Sequence, residues 1–208
     1  MKNVLCNALL LLGLTSNVMV QAESNPFFGK YKTPFETPPF DKIKTEHYEP
    51  AFKRGIAELK ADIEKIANNS EPATFENTIV ALDRSGELLN RVSGAFFNVL
   101  SANANDEMME ISQRISPDLT ESSNNIYLNE KLFARVKAVY DQRQSLNLSV
   151  EDARLLDETY RAFQESGATL SAEDKEKYRA LTTELSLLSL QFDQNALKDQ
   201  NRFEMLLT

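Results

Sequence analysis

The chain has 208 residues, of which 42% are hydrophobic and 26% are charged, so it is long enough to form one hydrophobic core and is not composed like a disordered protein. Its formal net charge is -8, from 23 Lys and Arg against 31 Asp and Glu, which argues against nucleic acid as a partner because no excess of cations is available for phosphates. Cys6 is the only cysteine, which excludes a disulfide within the chain.

The N-terminus has the pattern of a secretory signal peptide, which we assign to residues 1–22. Lys2 supplies the positive charge, an apolar run covers residues 4–14, and a small-residue cleavage site ends at Ala22. The run is shorter than the about 20 apolar residues that a membrane span needs. We therefore expect export and cleavage after Ala22, leaving a mature chain without cysteine, which suits an oxidising compartment. A buried N-terminal helix is the alternative.

Residues 23–45 predict an extended arm, because they lack helical periodicity and are rich in proline and phenylalanine. Proline fixes φ and removes a backbone donor. Four phenylalanines are too many for a freely solvated tail, so we expect the arm to lie across a larger body. The residues concerned are Pro26, Pro34, Pro38 and Pro39, with Phe27, Phe28, Phe35 and Phe40.

Residues 46–208 predict amphipathic helices, because their apolar residues recur at steps of three and four. The first helix covers residues 46–68. The second covers residues 74–100, is capped by Thr74 and has the longest uninterrupted pattern in the chain. Gly86 lies on its apolar stripe, which indicates either a close approach of a partner helix or a tolerated helix glycine.

Four further helices follow in the sequence. The third runs from Asp106 to about Leu128, with a kink predicted at Pro117. Asn129 caps the fourth, and the fifth and sixth begin with capping boxes. The caps of the fifth and sixth helices are Ser149 and Ser171, and Gly167 closes the fifth helix. The sixth helix is predicted to end near Leu197, and its apolar face consists of Tyr178, Leu181, Leu185, Leu188 and Phe192. No segment has a strand pattern, so we predict an all-α fold with about six amphipathic helices, with an α-solenoid left open.

Candidate catalytic groups are scarce. His47 is the one histidine, and a zinc site needs three or four ligands, so we expect no metal site and assign His47 to the start of the first helix beside neighbouring carboxylates. The same scarcity argues against a nucleophilic triad. The carboxylate pairs Glu46 with Glu49, and Glu151 with Asp152, are interpreted as first-turn acids favoured by the helix dipole. No catalytic, cofactor-binding or metal-binding residue is therefore assigned.

Several segments nevertheless match a known family in order and spacing. They are NPFF at 25–28, PPFDKIKTEHYEPAFKRGI at 38–56 and PATFENTIVALDRSGELLNRV at 72–92, followed by NEKLFARVKAVYDQR, LSVEDARLLDETYRAF and GATLSAEDKEKYRALTTELSLLSLQFDQNAL. Together they resemble the N-terminal region of the thimet-oligopeptidase family of zinc metallopeptidases, and within it the peptidyl-dipeptidases (dipeptidyl carboxypeptidases). The resemblance covers essentially all of the mature chain.

This resemblance implies that residues 46–208 form a helical N-terminal domain of a neurolysin-like fold, serving as one wall and the lid of a deep channel. In the family, two histidines of an H-E-x-x-H helix and a later glutamate hold zinc, and the motif glutamate acts as general base. None of these positions exists here, since Tyr48 and Pro50 follow His47 where that motif needs other residues. We therefore expect this chain alone to bind no zinc and to be inactive, with zinc held by a missing catalytic region.

The implied function is that of a periplasmic peptidase acting on short unfolded peptides. Release of dipeptides from free C-termini is favoured by overall similarity, and internal cleavage is left open. The apolar residues Phe203, Met205, Leu206 and Leu207 at the end of the sequence favour a truncated protein. The alternative is a complete, exported all-α binding or interaction protein without enzymatic activity. The coding sequence downstream would distinguish the two.

Overall fold

A computed structural model describes residues 25–202, so the predicted signal peptide and the terminal cluster at 203–207 lie outside the described residues. The described part is all-α, as predicted, and contains no β-strand. Its helices are α1 (Tyr48–Ala67), a π turn (Phe75–Val80) continued by α2 (Ala81–Asp83), α3 (Glu87–Asn103), α4 (Asp106–Tyr127), α5 (Glu130–Asp141), α6 (Val150–Glu165) and α7 (Ala172–Arg202). None of these helices is long and apolar enough to cross a bilayer.

Helices α1 and α3 form the centre of the core and cross at very short distance. A Cβ atom placed on Gly55 of α1 would lie 2.9 Å from both the Cα and the backbone nitrogen of Leu89 in α3. Aromatic rings fill the space beside the crossing, where the ring centroid of Phe96 lies 4.9 Å from that of Tyr48 and 5.3 Å from that of Phe52. The absence of a side chain at Gly55 is thus what allows the two backbones to meet.

The prediction of one uninterrupted helix over 74–100 is wrong. Thr74 does cap its start, accepting a hydrogen bond from the backbone N–H of Asn77 at 3.1 Å. The chain then forms the π turn and α2, and it breaks at Gly86, whose φ of 69° is left-handed. Leu59 of α1 packs against Gly86, 3.0 Å from where a Cβ would lie. The predicted close approach at Gly86 is therefore present, but it is to a side chain, and the backbones meet at Gly55.

The predicted caps of the later helices are confirmed. The side chains of Asn129, Ser149 and Ser171 each accept a hydrogen bond from a backbone N–H in the first turn, at 3.0, 3.1 and 3.1 Å. Asn105, which the sequence did not single out as a cap, does the same for α4 at 2.8 Å. Gly167 has a φ of 87°, as predicted for the residue that closes α6. Helix α4 continues through Pro117 to Tyr127. The inward faces of α4 to α6 include the buried residues Met108, Ile111, Ile115, Leu132, Val136, Val139, Leu156 and Phe163.

Helix α7 differs most from its prediction, because its predicted apolar face points to solvent. Leu181, Leu185, Leu188 and Phe192 are 64%, 63%, 56% and 73% exposed. We call these four residues the outer stripe. The helix also extends beyond its predicted end near Leu197, to Arg202. The three-and-four spacing correctly predicted a helix with one apolar face, but nothing in the described chain covers that face.

The opposite face of α7 packs on α4 through hydrogen bonds. The amide of Asn124 donates to the hydroxyl of Thr182 at 3.0 Å. Further along the helix, the amide of Gln113 donates to the side-chain oxygen of Gln194 at 2.8 Å. Gln194 is buried, as is Asn124. Because α4 offers serine, asparagine and glutamine on this side, polar residues of α7 meet their partners there and the outer stripe faces outward. Leu190 and Leu197, in contrast, are half-buried beside Met109 of α4.

The N-terminal arm is not α-helical, and one end of it packs on this domain. Phe27 is fully buried, with its ring centroid 5.4 Å from that of Tyr48. Phe28 is half-buried, with the guanidinium of Arg54 4.4 Å from its ring centroid. Phe35, in contrast, is 99% exposed. The helical core is thus the body that holds the first two phenylalanines, and the later part of the arm is uncovered within residues 25–202.

Candidate functional site

The structure gives His47 a local role at the start of α1. Its Nδ1 accepts a hydrogen bond from the backbone N–H of Lys44 at 3.0 Å, and its Nε2 lies 3.9 Å from a carboxylate oxygen of Glu46. Its carbonyl oxygen accepts from the amide of Asn25 at 2.8 Å. Across residues 25–202, no group of three or more His, Cys, Asp or Glu side chains could hold a metal ion. His47 therefore ties the arm to the first helix.

The predicted first-turn acids lie at helix starts and do not form a carboxylate pair of catalytic type. Glu49 accepts hydrogen bonds from Lys53 at 2.8 Å and from Arg114 at 2.9 Å, so it links α1 to α4. The hydrogen bond from Lys53, followed by that from Arg114, holds the pKa of Glu49 below its usual value. Glu151 and Asp152 lie in the first turn of α6. Glu49 thus acts as an ionic link between helices.

Arg135 of α5 organises the segment around the π turn, and the sequence interpretation did not single it out. One guanidinium nitrogen donates to the backbone oxygens of Asn69 and Glu71, at 2.8 and 2.9 Å. The other donates to the side chains of Asn77 and Thr78, at 2.9 and 3.3 Å. An arginine beside the buried positions of an amphipathic helix is the only sequence signal of this role. The Asn-Thr pair of the TFENTI segment is therefore an acceptor site for this arginine.

An open groove of about 450 Å³ lies between α1, α4 and the start of α7. Its lining is mixed, with apolar and charged side chains of α1 and mostly polar side chains of α4 and α7. The lining includes Ile56, Ile63, Glu64, Asp118, Glu121, Asn125 and Arg179. Arg179 donates to Asn125 at 2.9 Å and thereby joins two sides of the groove. Such a surface can contact a peptide, but its described residues include neither a histidine nor a cysteine to do covalent chemistry.

A second open pocket, of about 690 Å³, lies along the arm and is lined by cations. Its charged residues are Lys30, Lys32, Lys42 and Arg54. Arg54 is engaged by Glu58, whose carboxylate accepts a hydrogen bond from it at 2.7 Å. The pocket concentrates positive charge on a chain of net charge -8, and the three lysines in it are exposed. Buried Asn25 also lines the pocket, but its side-chain amide is already bonded to the backbone of His47 and Phe27.

Comparison with curated proteins finds peptidases over most of the chain. A dipeptidyl carboxypeptidase of Escherichia coli (strain K12) is 43% identical over 173 residues, which cover 83% of this chain and 25% of that protein. A dipeptidyl carboxypeptidase of Salmonella typhimurium is 42% identical over 84% of this chain and 26% of its own length. An oligopeptidase A of Escherichia coli is 28% identical over 79% of this chain and 24% of its own length. The chain thus spans about a quarter of the length of these relatives. No family model matches it.

Proposed function

Because the chain is a region of a thimet-oligopeptidase family peptidase, we propose that it serves a zinc metallopeptidase that cleaves short unfolded peptides and releases dipeptides from their C-termini. The observation that carries this proposal is the 43% identity to a dipeptidyl carboxypeptidase, against 28% to an oligopeptidase A over a segment of similar length. The alternative of a complete binding protein without enzymatic activity is not favoured, because the similarity to peptidases extends over 83% of the chain.

Within such an enzyme, residues 46–202 would form part of the wall of the substrate channel. Two observations support this role. The described residues include no group of His, Cys, Asp or Glu side chains that could hold a metal ion, and the open groove between α1, α4 and α7 offers both apolar and polar contacts. A wall of this kind acts by positioning the substrate and excluding water, and misplacement by about 1 Å can cost about a hundredfold in rate.

Residues 25–202 do not fit the zinc ion that the family implies. His47 uses Nδ1 to accept a backbone hydrogen bond, and the described acidic residues do not gather around it as ligands. A zinc site commonly takes three or four His, Cys or carboxylate ligands. We therefore assign zinc to the part of the relatives that this chain does not match, and we derive no step of the reaction through residues 25–202.

A chimeric enzyme tests the proposed function. In it, residues of this chain replace the matched segment of the full-length dipeptidyl carboxypeptidase of Escherichia coli. We expect the chimera to release dipeptides from a short peptide with a free C-terminus. Its rate should fall by less than about a hundredfold relative to the unaltered enzyme, since about a hundredfold is the loss that misplacement causes. The control is a chimera that carries the matched segment of the oligopeptidase A. A chimera that melts cooperatively but releases no dipeptide would contradict the proposal, as would chelator-sensitive dipeptide release by this chain alone.

Export to the periplasm is the proposed location, supported by the signal-peptide pattern of the N-terminus. The measurement is the intact mass of the protein recovered from the periplasm of a bacterial host. We expect a mature chain that begins at Glu23, because Ala22 ends the small-residue cleavage site. A variant with Ala22→Asp, which places a charged residue at the cleavage point, is expected to keep its leader. Recovery of the unaltered chain with Met1 still attached would rule out processing.

A further inference from the structure

The outer stripe of α7 exposes four large apolar side chains on one helix. Leu181, Leu185, Leu188 and Phe192 follow one another at steps of four, three and four, so their side chains lie in one line along the helix. Each is more than half exposed. Single exposed apolar residues are ordinary on protein surfaces, but an aligned row of four large ones marks an interaction surface.

The orientation of the outer stripe is fixed by the contacts on the other side of the helix. Thr182 and Gln194 are held by the amides of Asn124 and Gln113 in α4, at 3.0 and 2.8 Å. Near the start of α7, buried Lys175 donates to the carboxylate of Glu130 at 2.9 Å. Rotating α7 to bury its leucines would break these three links and leave buried polar groups without partners. The stripe therefore faces outward as part of the fold.

We propose that the outer stripe is the surface on which the remaining part of the peptidase docks, namely the part that the relatives possess and this chain does not match. This inference rests on the proposed function. The partner surface must be apolar, since the four side chains of the stripe offer no hydrogen-bond donor or acceptor. Lys175, Thr182 and Gln194 of α7 are already engaged by α5 and α4, so the stripe itself contributes shape and apolar contact.

A region of the same polypeptide suits this surface better than a second copy of the chain. A stable interface between separate proteins usually buries about 800 Å² on each partner, with about 20 to 30 residues a side. One row of four side chains on one helix is much narrower. A region joined to the chain covalently binds at a high effective concentration, on the order of millimolar for short linkers, and so needs far less contact area. The relatives, of which this chain spans about a quarter, provide such a region.

Thiol labelling tests the proposal without disturbing the fold. Cys6 is the only cysteine of the chain and lies in the predicted leader, so residues 23–208 carrying Leu185→Cys have a single thiol. We expect iodoacetamide to modify Cys at position 185 rapidly in the free chain. In the chimeric full-length enzyme, we expect modification at least tenfold slower, measured by mass spectrometry of the peptide that contains the position. The matched control is Ala180→Cys, on a side of α7 between its two faces, which should change by less than threefold.

The outcomes separate the docking surface from the proposed function. If the chimera releases dipeptides but position 185 reacts as fast as in the free chain, the docking surface is wrong and the proposed function stands. If position 185 is protected in a chimera that is folded but inactive, the docking surface stands and the proposed function fails. Equal protection at positions 180 and 185 would show burial of the whole helix and would overturn a role specific to the stripe.

Analytical sedimentation of the free chain tests whether a second copy of the chain covers the outer stripe. We expect the wild-type chain and the double variant Leu185→Asp with Leu188→Asp to have the same sedimentation coefficient at micromolar concentration, because the stripe is too narrow to hold a dimer. Equal far-ultraviolet circular dichroism of the two would show that the helix is intact. A wild-type dimer that the double variant abolishes would overturn the proposal and identify a second copy as the occupant.

Discussion

Replacing Gly55 by alanine should lower the free energy of unfolding by about 1 to 2 kcal/mol. The new methyl group would lie 2.9 Å from two backbone atoms of Leu89, so no change of side-chain rotamer can relieve the contact and α1 must move away from α3. Overpacking of this kind costs about 1 to 3 kcal/mol, occasionally more, and this cost opposes the about 1 kcal/mol that alanine gains over glycine in a helix. Urea denaturation followed by circular dichroism measures the change.

Gly94→Ala is the matched control for this prediction. Gly94 also lies in a helix, but a Cβ placed there meets no atom within 4 Å. Only the helix propensity then changes, so Gly94→Ala should raise the free energy of unfolding by up to about 1 kcal/mol. If both substitutions stabilise the protein equally, α1 and α3 do not cross at Gly55 as closely as described.

Replacing Arg135 by methionine should lower the free energy of unfolding by about 3 kcal/mol. The guanidinium donates to two backbone oxygens of the segment that joins α1 to the π turn, and to two side-chain oxygens within the π turn. Hydrogen bonds that involve a charged group contribute about 1.5 to 3 kcal/mol each, and part of this is recovered where water reaches the freed acceptors. Thr78, one of these acceptors, is fully buried and stays without that donor. Methionine keeps the length and apolar contacts of the side chain.

Two further variants make the Arg135 experiment specific. Arg135→Lys keeps the charge but not the planar fork of donors, so it should recover only part of the lost free energy of unfolding. Arg154→Met removes an exposed arginine that pairs with Glu158 on the same helix, and it should change that free energy by less than about 0.5 kcal/mol. Denaturation of the three variants in parallel gives the comparison. Equal effects of Arg135→Met and Arg154→Met would show that Arg135 does not hold the segment.

Local signals in the sequence predicted the helix starts well. Thr74, Asn129 and Ser149 each cap a helix because a short polar side chain can satisfy a free N–H of the first turn, and this chemistry is complete within four residues. The left-handed end at Gly167 is equally local. Such features need no knowledge of distant residues, so a reader of the sequence can find them.

Features that depend on distant contacts were missed. The periodicity over 74–100 runs through Gly86 without a change, but the packing of Leu59 against Gly86 accompanies a left-handed break that periodicity does not record. Periodicity likewise revealed the apolar face of α7 but could not say that the polar face would find its partners in α4. Arg135 was missed because its acceptors lie 57 to 66 positions away in the sequence.

The site could be predicted only in part for the same reason. The scarcity of histidine and cysteine led us to assign no catalytic residue, which stays a prediction, whereas the expected place of His47 at the start of α1 is confirmed. The groove between α1, α4 and α7 depends on three helices meeting, and no motif encodes its lining. The family resemblance therefore supplied the functional interpretation that the individual residues could not.

The hydrogen bonds between α4 and α7 have a thermodynamic consequence for assembly. A helix held by hydrophobic contact alone can slide or rotate at little cost. Hydrogen-bonded amides and hydroxyls instead hold the helix in one register and one rotation about its axis. The α4 pairs of Thr182 and Gln194 thus preorganise the leucines beside them before any partner arrives. Less conformational entropy then remains to be lost when that surface is covered, so a small apolar contact can still be strong. The polar side of α7 in this way increases the affinity of the outer stripe for the region that covers it.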